Sequence, residues 1–349
     1  MNETARKWVS LWLFLGCAMV FFQVIVGGVT RLTDSGLSIT EWKPIKGIVP
    51  PLNENEWQQE FELYKNITQF KTINQDMTVG EFKWIYFWEY SHRFWGRFMG
   101  IVFIIPFSIF LWLKWFDSAF FKRIGILFLW GGGIGVYGWI MVRSGLTGVY
   151  VPPIHLSIHL LLALSLYAYL IWLAIYVRNQ NRLSEFKASS TSVSLIWLLT
   201  VLVFIQIFLG GILSGMRAGL SYPTWPLMLG EFFPSALVTE KVSWSGFFHY
   251  SATDFWGRTF IQFTHRITAY TLWALALYIV FEEARKTQWN KLQLGFKLLP
   301  FTVTLQATIG IITVMHCNGK IPVFWGVMHQ AGAMILLANM ALLWHYRKK

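Results

Sequence analysis

The stretch WEYSHRFWGRFMGIVFIIPFSIFLWLKW (88–115) decides the fold class of this chain. From Phe98 onward it is almost entirely apolar, and it approaches the roughly 20 residues that a helix needs to cross a bilayer. Its first ten residues nevertheless contain the ionisable side chains of Glu89, His92, Arg93 and Arg97. A charge at membrane depth costs roughly 3 kcal/mol or more, so such residues mark a functional site by default.

The rest of the chain has the same membrane character. Of its 349 residues, 55% are hydrophobic and 13% are charged, whereas soluble domains carry about 25% charged residues. We therefore predict an all-α integral membrane protein with eight transmembrane helices. The predicted spans lie near residues 9–29, 87–113, 123–142, 154–177, 192–214, 256–281, 294–315 and 322–344.

Basic residues predict the orientation and account for the net charge of +12. They gather at the termini and in the short connections between spans, while the long loop 30–86 on the other side is net acidic. The positive-inside rule then predicts cytoplasmic termini, and no nucleic-acid partner is expected. The clustered residues are Arg6, Lys7, Lys114, Lys122, Arg123, Arg178, Arg182, Lys187, Arg285, Lys286, Lys291, Lys297, Arg347, Lys348 and Lys349.

An internal repeat divides the chain into two halves, predicted as residues 1–180 and 190–349. Shifts of 183, 173 and 170 align QVIVGG (23–28) with QIFLGG (206–211), Trp42 with Trp225, EYSHR (89–93) with QFTHR (262–266), and His159 with His329. Parallel repeats in membranes are related by an axis along the membrane normal. The repeat thus predicts two pseudo-symmetric four-helix bundles, although transporters are built from such repeats too.

Four histidines occupy matched positions in the outer halves of the even-numbered spans: His92, His159, His265 and His329. A neutral imidazole in hydrocarbon must still be partnered, and a lone membrane histidine is commonly a hydrogen-bonded packing residue. Four at matched positions favour ligands instead. Two histidines on different helices of each half suit a six-coordinate haem. Zinc and copper are disfavoured, because no cysteine or carboxylate cluster completes their ligand shells.

Small residues and arginines accompany these histidines. Positions i and i+4 share a helix face, so a small residue four positions after a histidine leaves room for a flat macrocycle, although close helix packing also favours small residues. These residues are Gly96, Ala163, Ala269 and Ala333. Arginine binds carboxylates such as haem propionates through paired hydrogen bonds, with interfacial snorkelling as the alternative. The candidates are Arg31, Arg93, Arg97, Arg143, Arg217, Arg258 and Arg266.

One difference between the halves points to chemistry. Glu89 aligns with Gln262 and lies three residues before His92, on the same helix face. A carboxylate beside a haem at membrane depth is a candidate proton acceptor, and an ion pair with a neighbouring arginine is the alternative. The insertion 53–88 has apolar residues at near-helical spacing and is a candidate lid over the first half.

Four motifs resemble the haem A synthase family: GGVTRLTDSGLSITEWKPIKGIVPP (27–51), EFKWIYFWEYSHRFWGR (81–97), QFTHR (262–266) and GVMHQAGA (326–333). The resemblance covers nearly the whole chain. Residues 30–88 contain no cysteine, which is typical of the mitochondrial-type branch and differs from a bacterial branch with a cysteine pair in this loop. A mechanism that relies on such a pair is therefore not expected here.

The resemblance implies an activity and a role for each site residue. The family oxidises the C8 methyl group of haem O to a formyl group, giving haem A for terminal oxidases. Glu89 matches the glutamate of the family's ExxHR motif, which implies a catalytic role. The implied substrate site comprises His92, His159, Arg93, Arg97, Gly96 and Ala163, and the implied site of a retained haem b comprises the axial ligands His265 and His329 with Arg266, Ala269 and Ala333.

The resemblance also implies surroundings and partners. It implies a multi-pass protein of the bacterial cytoplasmic membrane that takes haem O from the lipid bilayer or from haem O synthase. An electron acceptor or donor and a second copy of the chain are further candidate partners. Two other hypotheses stay open: a di-haem electron-transfer cytochrome without chemistry on its haem, and a transporter. Glu89 without a counterpart in the second half favours the synthase, and the matched histidines favour a haem protein over a transporter.

Overall fold

The computed structural model describes residues 1–41, 46–179, 190–287 and 289–345, and within these ranges the chain is helical without a strand. Eight helices are long and apolar enough to cross a membrane, which confirms the prediction of an all-α membrane protein. They are α1 (Glu3–Leu32), α4 (Val79–Trp112), α5 (Ser118–Gly145), α6 (Pro153–Arg178), α7 (Ser190–Gly215), α10 (Phe255–Lys286), α11 (Leu294–Met315) and α12 (Val323–His345). The shorter helices are α2 (Glu54–Lys65), α3 (Thr68–Ile73), α8 (Ala236–Thr239) and α9 (Ser245–Phe248).

The second spanning helix begins at Val79, earlier than the predicted start near residue 87. A capping box sets this start. The Thr78 hydroxyl accepts a hydrogen bond from the Glu81 amide at 3.3 Å, and the Glu81 carboxylate accepts one from the Thr78 amide at 2.8 Å. Because these bonds satisfy amides that the first turn leaves unpaired, α4 extends by about two turns toward the insertion that contains α2 and α3.

The insertion of the first half folds onto this extension of α4. Helix α2 lies within this insertion, and α2 and α3 bury a cluster made of Leu37, Phe61, Tyr64, Ile67, Phe82, Ile85, Tyr86 and Val151. The lid over the first half stays a prediction. Gln69 donates through Nε2 to the Val149 carbonyl at 3.2 Å. Helix α2 packs on α4 and α3 packs on α2, so the two short helices together link α4 to the connection between α5 and α6.

The two halves meet through α6 and α12. Helix α6 packs against α7 and α12, and α1 packs against α12. Arg31 donates through Nη2 to the carbonyl of Ser214 at 2.8 Å, and the shift of 183 makes these residues equivalent. Contacts between equivalent positions agree with the predicted two-fold relation of the halves, which itself stays a prediction.

Within each half the helices pack in a similar order, with one difference. Helix α1 packs on α4 and α6, and α7 packs on α10, while α5 lies on α6 and α11 on α12. Helix α10 also packs against α11, whereas α4 and α5, both described in full, have few close backbone approaches and meet through the rings of Phe103, Phe107 and Phe128. The orientation and the boundary near residues 180–190 stay predictions. The residues Trp42, Arg182, Lys187, Arg347, Lys348 and Lys349, which those predictions used, lie outside the described ranges.

Candidate functional site

The ring of His92 on α4 packs so closely on Gly27 of α1 that only glycine fits there. Such a contact surface for a histidine ring is called its seat below. A Cβ atom on Gly27 would lie 2.8 Å from His92 Cε1, far inside the roughly 3.5–4.0 Å at which carbon atoms pack. Gln23, one turn earlier on α1, donates through Nε2 to the His92 carbonyl at 3.1 Å. The same nitrogen lies 3.4 Å from His92 Nε2. Helix α1 therefore holds this ring both by shape and through an amide.

His265 on α10 has an equivalent seat on α7. A Cβ atom on Gly210 would lie 3.1 Å from His265 Cε1. Gln206 donates through Nε2 to the His265 carbonyl at 3.0 Å and lies 3.2 Å from His265 Nε2. The aligned motifs QVIVGG and QIFLGG thus supply the glutamine and the glycine of both seats.

The other two histidines lie against glycines of α5 and α11. A Cβ atom on Gly138 would lie 3.2 Å from His159 Cε1, and one on Gly310 would lie 2.8 Å from His329 Cε1. Gln306, four residues before Gly310, places its Nε2 3.2 Å from His329 Nδ1. Three of the four seats therefore follow a Gln-x-x-x-Gly pattern.

The seat of His159 is the exception. Ile134 stands four residues before Gly138, where the other seats have glutamine. The ring of Tyr137 stacks on His159 instead, with centroids 6.5 Å apart and an interplanar angle of 15°. The Tyr137 hydroxyl lies 2.9 Å from His155 Nδ1. His159 is therefore held by aromatic packing, and no side-chain amide of the described residues hydrogen-bonds to its ring.

The histidines form one pair in each half. His92 and His159 are close enough to interact electrostatically, as are His265 and His329. All four side chains are half-buried. The buried Nδ1 atoms of His92, His159 and His265 have no hydrogen-bond partner in the described part of the chain, although buried polar atoms are normally paired. Unpaired Nδ1 atoms thus occur on both imidazoles of the first pair and on His265 of the second, and two imidazoles in each half fit the ligands of a six-coordinate haem.

The predicted small residues lie one turn from the histidines with accessible surface beside them. Gly96, Ala163, Ala269 and Ala333 are all half-buried. A Cβ atom on Gly96 would meet Gln23 Nε2 at 3.5 Å, which is an ordinary contact. The position therefore tolerates the alanine that its three counterparts carry.

Glu89 is buried and has a partner on each oxygen. Its Oε2 accepts hydrogen bonds from the Ser38 hydroxyl and the Ile39 amide, both at 2.8 Å. Its Oε1 pairs with Nη2 of Arg93, and the same Nη2 donates to the Ile39 carbonyl at 2.9 Å. The ion pair with a neighbouring arginine, left open by the spacing, is therefore present and involves Arg93.

Gln262 occupies the equivalent place in the second half. It donates through Nε2 to the Tyr222 carbonyl at 2.9 Å, and Arg266 donates to the same carbonyl at 2.9 Å. The shift of 183 makes Tyr222 the counterpart of Ile39. In each half an arginine and the residue three positions before its histidine thus bind the backbone of the same equivalent residue. The residue three positions before the histidine is a carboxylate in the first half and a neutral amide in the second.

The predicted arginines divide into two groups. Arg31 and Arg217 bind Asp34 at the junction of the halves, Arg258 donates to the Asp254 carbonyl, and Arg143 lies over the Trp139 ring. Arg97 and Arg266 each bury an Nη1 atom that has no partner among the described residues. Arg97 and Arg266 therefore each have a buried donor left for a bound carboxylate.

Sequence reasoning missed the residues that seat the histidines. These are Gln23, Gly27, Gly138, Gln206, Gly210, Gln306 and Gly310, together with Tyr137. The Gln-x-x-x-Gly spacing inside the aligned motifs was the available signal. It occurs three times, each time one span before a matched histidine.

Comparisons with known proteins agree over the whole chain. The sequence model of the family described as cytochrome oxidase assembly protein, COX15-CtaA, matches residues 10–341. The chain is 41% identical over 350 residues to the heme A synthase of Parvibaculum lavamentivorans, covering 99% of this chain and 95% of that protein. It is 40% identical over 342 residues to the heme A synthase of Nitrosospira multiformis, covering 97% and 92%.

The heme A synthase of Flavobacterium psychrophilum is 37% identical over 347 residues, covering 97% of this chain and 98% of that protein. Each match extends through both halves and all four histidines. The chain therefore belongs to the COX15-CtaA family of cytochrome oxidase assembly proteins.

Proposed function

We propose that this membrane protein is a haem A synthase, which oxidises the C8 methyl group of haem O to the formyl group of haem A. Its family and its full-length similarity to proteins named heme A synthase support this function. The geometric observation that carries the proposal is the Glu89–Gln262 difference, which places a carboxylate beside only one of two histidine pairs.

The first half is the substrate site in this proposal, and the second half holds haem b. Glutamines lie beside both His265 and His329, which suits a cofactor that stays bound. His159 has no such glutamine, and its partner His92 lies one turn from Glu89. A weaker hold on one ring suits a haem that must enter and leave.

His265 and His329 would hold haem b, which would supply electron transfer rather than oxygen activation in this half. Glu89 would accept a proton that is released as the methyl carbon is oxidised, and the electrons would pass to the electron acceptor proposed below as a partner. Arg93, Ser38 and the Ile39 amide hold the carboxylate in place, so it needs no rearrangement to act. Gln262, as a neutral amide, cannot take this role in the second half.

Two arginines orient the haems through their propionates in this proposal. The unpaired Nη1 of Arg97 serves the first half, and that of Arg266 serves the second. Arginine binds a carboxylate with paired, charge-assisted hydrogen bonds. Gly96 and Ala163 leave space for the substrate ring, and their counterparts Ala269 and Ala333 do so for haem b.

The proposed location is the bacterial cytoplasmic membrane, with both termini in the cytoplasm. Histidines in the outer halves of their helices then lie near the outer face. The outer loop with α2 and α3 is proposed to cover the substrate site as a lid. Haem O synthase, an electron acceptor or donor and a second copy of the chain are the proposed partners.

A di-haem electron-transfer cytochrome is the second candidate function. The matched glycine seats of all four histidines favour it, because a pure electron carrier has no need of different halves. Glu89 and the unequal seat of His159 favour the synthase instead.

Haem extraction from cells that produce haem O tests the proposed function. Co-expression with a haem O-producing enzyme is expected to give haem A by chromatography, and the purified protein is expected to show a low-spin bis-histidine spectrum. Accumulation of haem O alone, with folded protein present, contradicts the synthase and leaves the cytochrome. Purification without any haem from a haem-replete host contradicts both.

A further inference from the structure

The two halves differ at the seam between their second and third spanning helices. In the second half, α10 packs against α11, and Trp273 Nε1 donates to Thr304 Oγ1 across the seam at 3.0 Å. The shift of 173 makes Gly100 the counterpart of Trp273. Alignment of the seat glycines Gly138 and Gly310 makes Gly132 the counterpart of Thr304. Both side chains that close the second seam are therefore absent from the first.

The first seam is open at this level. A Cβ atom added to Gly100 would meet no atom within 4 Å, and the same is true of Gly131, Gly132, Gly133 and Gly135 in the described structure. The corresponding segment of α11 reads Val-Thr-Leu-Gln-Ala (303–307). At this level α4 and α5 therefore present glycine to open space, where α10 and α11 are joined by side chains. The space beside Gly100 and Gly132 is called the gap below.

The gap is closed at both ends. Toward the cytoplasmic end, Phe128 of α5 packs on Phe103 and Phe107 of α4, with centroids 5.2 and 4.9 Å apart. Toward the outer end, α2 packs on α4 and α3 packs on α2, while Gln69 of α3 donates to the Val149 carbonyl just after α5. The opening therefore faces the side of the bundle, at the depth of the bilayer.

The gap leads toward the first histidine pair. Gly100 lies eight residues after His92 on α4, about 12 Å along the helix axis. Gly132 lies six residues before Gly138, the seat of His159, about 9 Å along α5. Helices α4 and α5 therefore connect the gap with this pair, and the Nδ1 atoms of His92 and His159 lack partners among the described residues.

We propose that the glycine-lined gap between α4 and α5 is a lateral portal through which the tetrapyrrole substrate passes between the bilayer and the His92–His159 pair. This inference rests on the proposed function, since it concerns the substrate of that site. A flat and largely apolar macrocycle suits a narrow opening toward lipid. The closed seam between α10 and α11 correspondingly keeps haem b in the second half.

A reversible bridge across the gap tests the portal. The variant Gly100→Cys/Gly132→Cys is reconstituted in lipid nanodiscs and bridged with thiosulfonate reagents of several lengths. Vesicles containing haem O supply the probe, and the growth of low-spin haem absorbance measures its uptake. Bridging is expected to slow uptake at least about tenfold, and reduction of the bridge is expected to restore it. The matched pair Trp273→Cys/Thr304→Cys is expected to show no effect when bridged.

Three results decide the outcome. Uptake by the bridged protein at the unbridged rate overturns the portal. Bridges that form only between two copies of the chain also overturn it, because the glycine face is then an interface between copies. If the cysteine variant does not fold, Gly100→Trp/Gly132→Thr replaces it, and the spectrum of its second-half haem checks that it is folded. This variant is also expected to slow haem O uptake, and unchanged uptake overturns the portal.

The portal and the proposed function can fail separately. Uptake of haem O requires no oxidation and is therefore measured independently of haem A production. If bridging blocks uptake but the unbridged protein makes no haem A, the portal is supported and the synthase is contradicted. Unchanged haem A production by the bridged protein leaves the synthase and removes the portal.

Discussion

Asp34 and Arg217 occupy equivalent positions in the two halves and bind each other. Arg217 Nη1 donates to Oδ1 and Oδ2 of Asp34 at 3.0 and 2.9 Å. Both residues follow the ends of their helices in the left-handed region, with φ of 56° for Asp34 and 54° for Arg217. Residues at a two-fold axis contact their own counterparts. The same backbone turn, used once in each half, thus brings opposite charges together at the junction.

Loss of this carboxylate is expected to destabilise the junction. Burial lowers the pKa of Arg217, but the Asp34 carboxylate outweighs it and the net pKa is raised. Asp34→Asn leaves both Arg31 and Arg217 without that carboxylate, at a cost of about 1–3 kcal/mol. Thermal unfolding measures the loss. In a double-mutant cycle with Arg217→Gln the two effects are expected to be non-additive, and simple additivity contradicts the contact.

The glycine seats are expected to control haem retention. In Gly310→Ala the new Cβ would lie 2.8 Å from His329 Cε1, so the ring must move and the low-spin spectrum of the second-half haem is expected to be lost. Gly125→Ala is the control, because a Cβ there meets no atom within 4 Å and alanine favours a helix by roughly 1 kcal/mol. A normal haem spectrum in Gly310→Ala contradicts the seat.

Removal of the Glu89 carboxylate is expected to stop aldehyde formation without loss of the second-half haem. A positioned proton acceptor contributes roughly 10²–10⁴-fold in rate, so haem A production by Glu89→Gln is expected to fall by about that factor. Haem extraction and the bound-haem spectrum are measured together.

The Glu89 variant also leaves Arg93 without its ion-pair partner, and a broken buried pair costs about 3–5 kcal/mol. Glu89→Gln/Arg93→Gln removes that unpaired charge and is expected to stay inactive while regaining stability. Unchanged haem A production in either variant gives Glu89 a structural role only.

Aromatic packing on His159 is expected to contribute to substrate affinity. Tyr137→Leu removes the stacked ring, and stacked aromatic pairs contribute about 0.5–1.5 kcal/mol, so haem O binding to the first half is expected to weaken up to about tenfold. Tyr137→Phe keeps the ring and is the matched control, with affinity near that of the unmodified protein. Equal affinities for the leucine and phenylalanine variants contradict this role, as measured by haem O titration.

The segment that contains α2 and α3, residues 54–73, is expected to unfold locally at alkaline pH. Burial raises the pKa of the Tyr64 phenol to about 12, while the exposed phenol has a pKa near 10. Between these values the unfolded loop has released the proton and the folded loop retains it, so stability falls as pH rises. Proteolysis within residues 54–73 is expected to increase over this range, and less so in Tyr64→Phe. The same pH profile in both proteins contradicts the prediction.

The sequence by itself determined the eight spans, the four matched histidines and the Glu89–Gln262 difference. Apolar runs and repeat shifts are properties of one chain read in order, so they need no knowledge of distances between helices. The early start of α4 at Val79 was missed, because a local capping box between Thr78 and Glu81 outweighed the hydropathy pattern. That signal was present in the sequence, but it lay outside the apolar run.

Only the tertiary structure decided which residues meet across helices. The seat of His92 on Gly27, the pairing of Asp34 with Arg217 and the open seam at Gly100 each join positions far apart in the chain. Spacing along one helix fixes which residues share a face, but not which face of another helix lies opposite. That choice depends on how all the helices pack together. The absence of a side chain on one helix opens a space only if the neighbouring helix does not fill it.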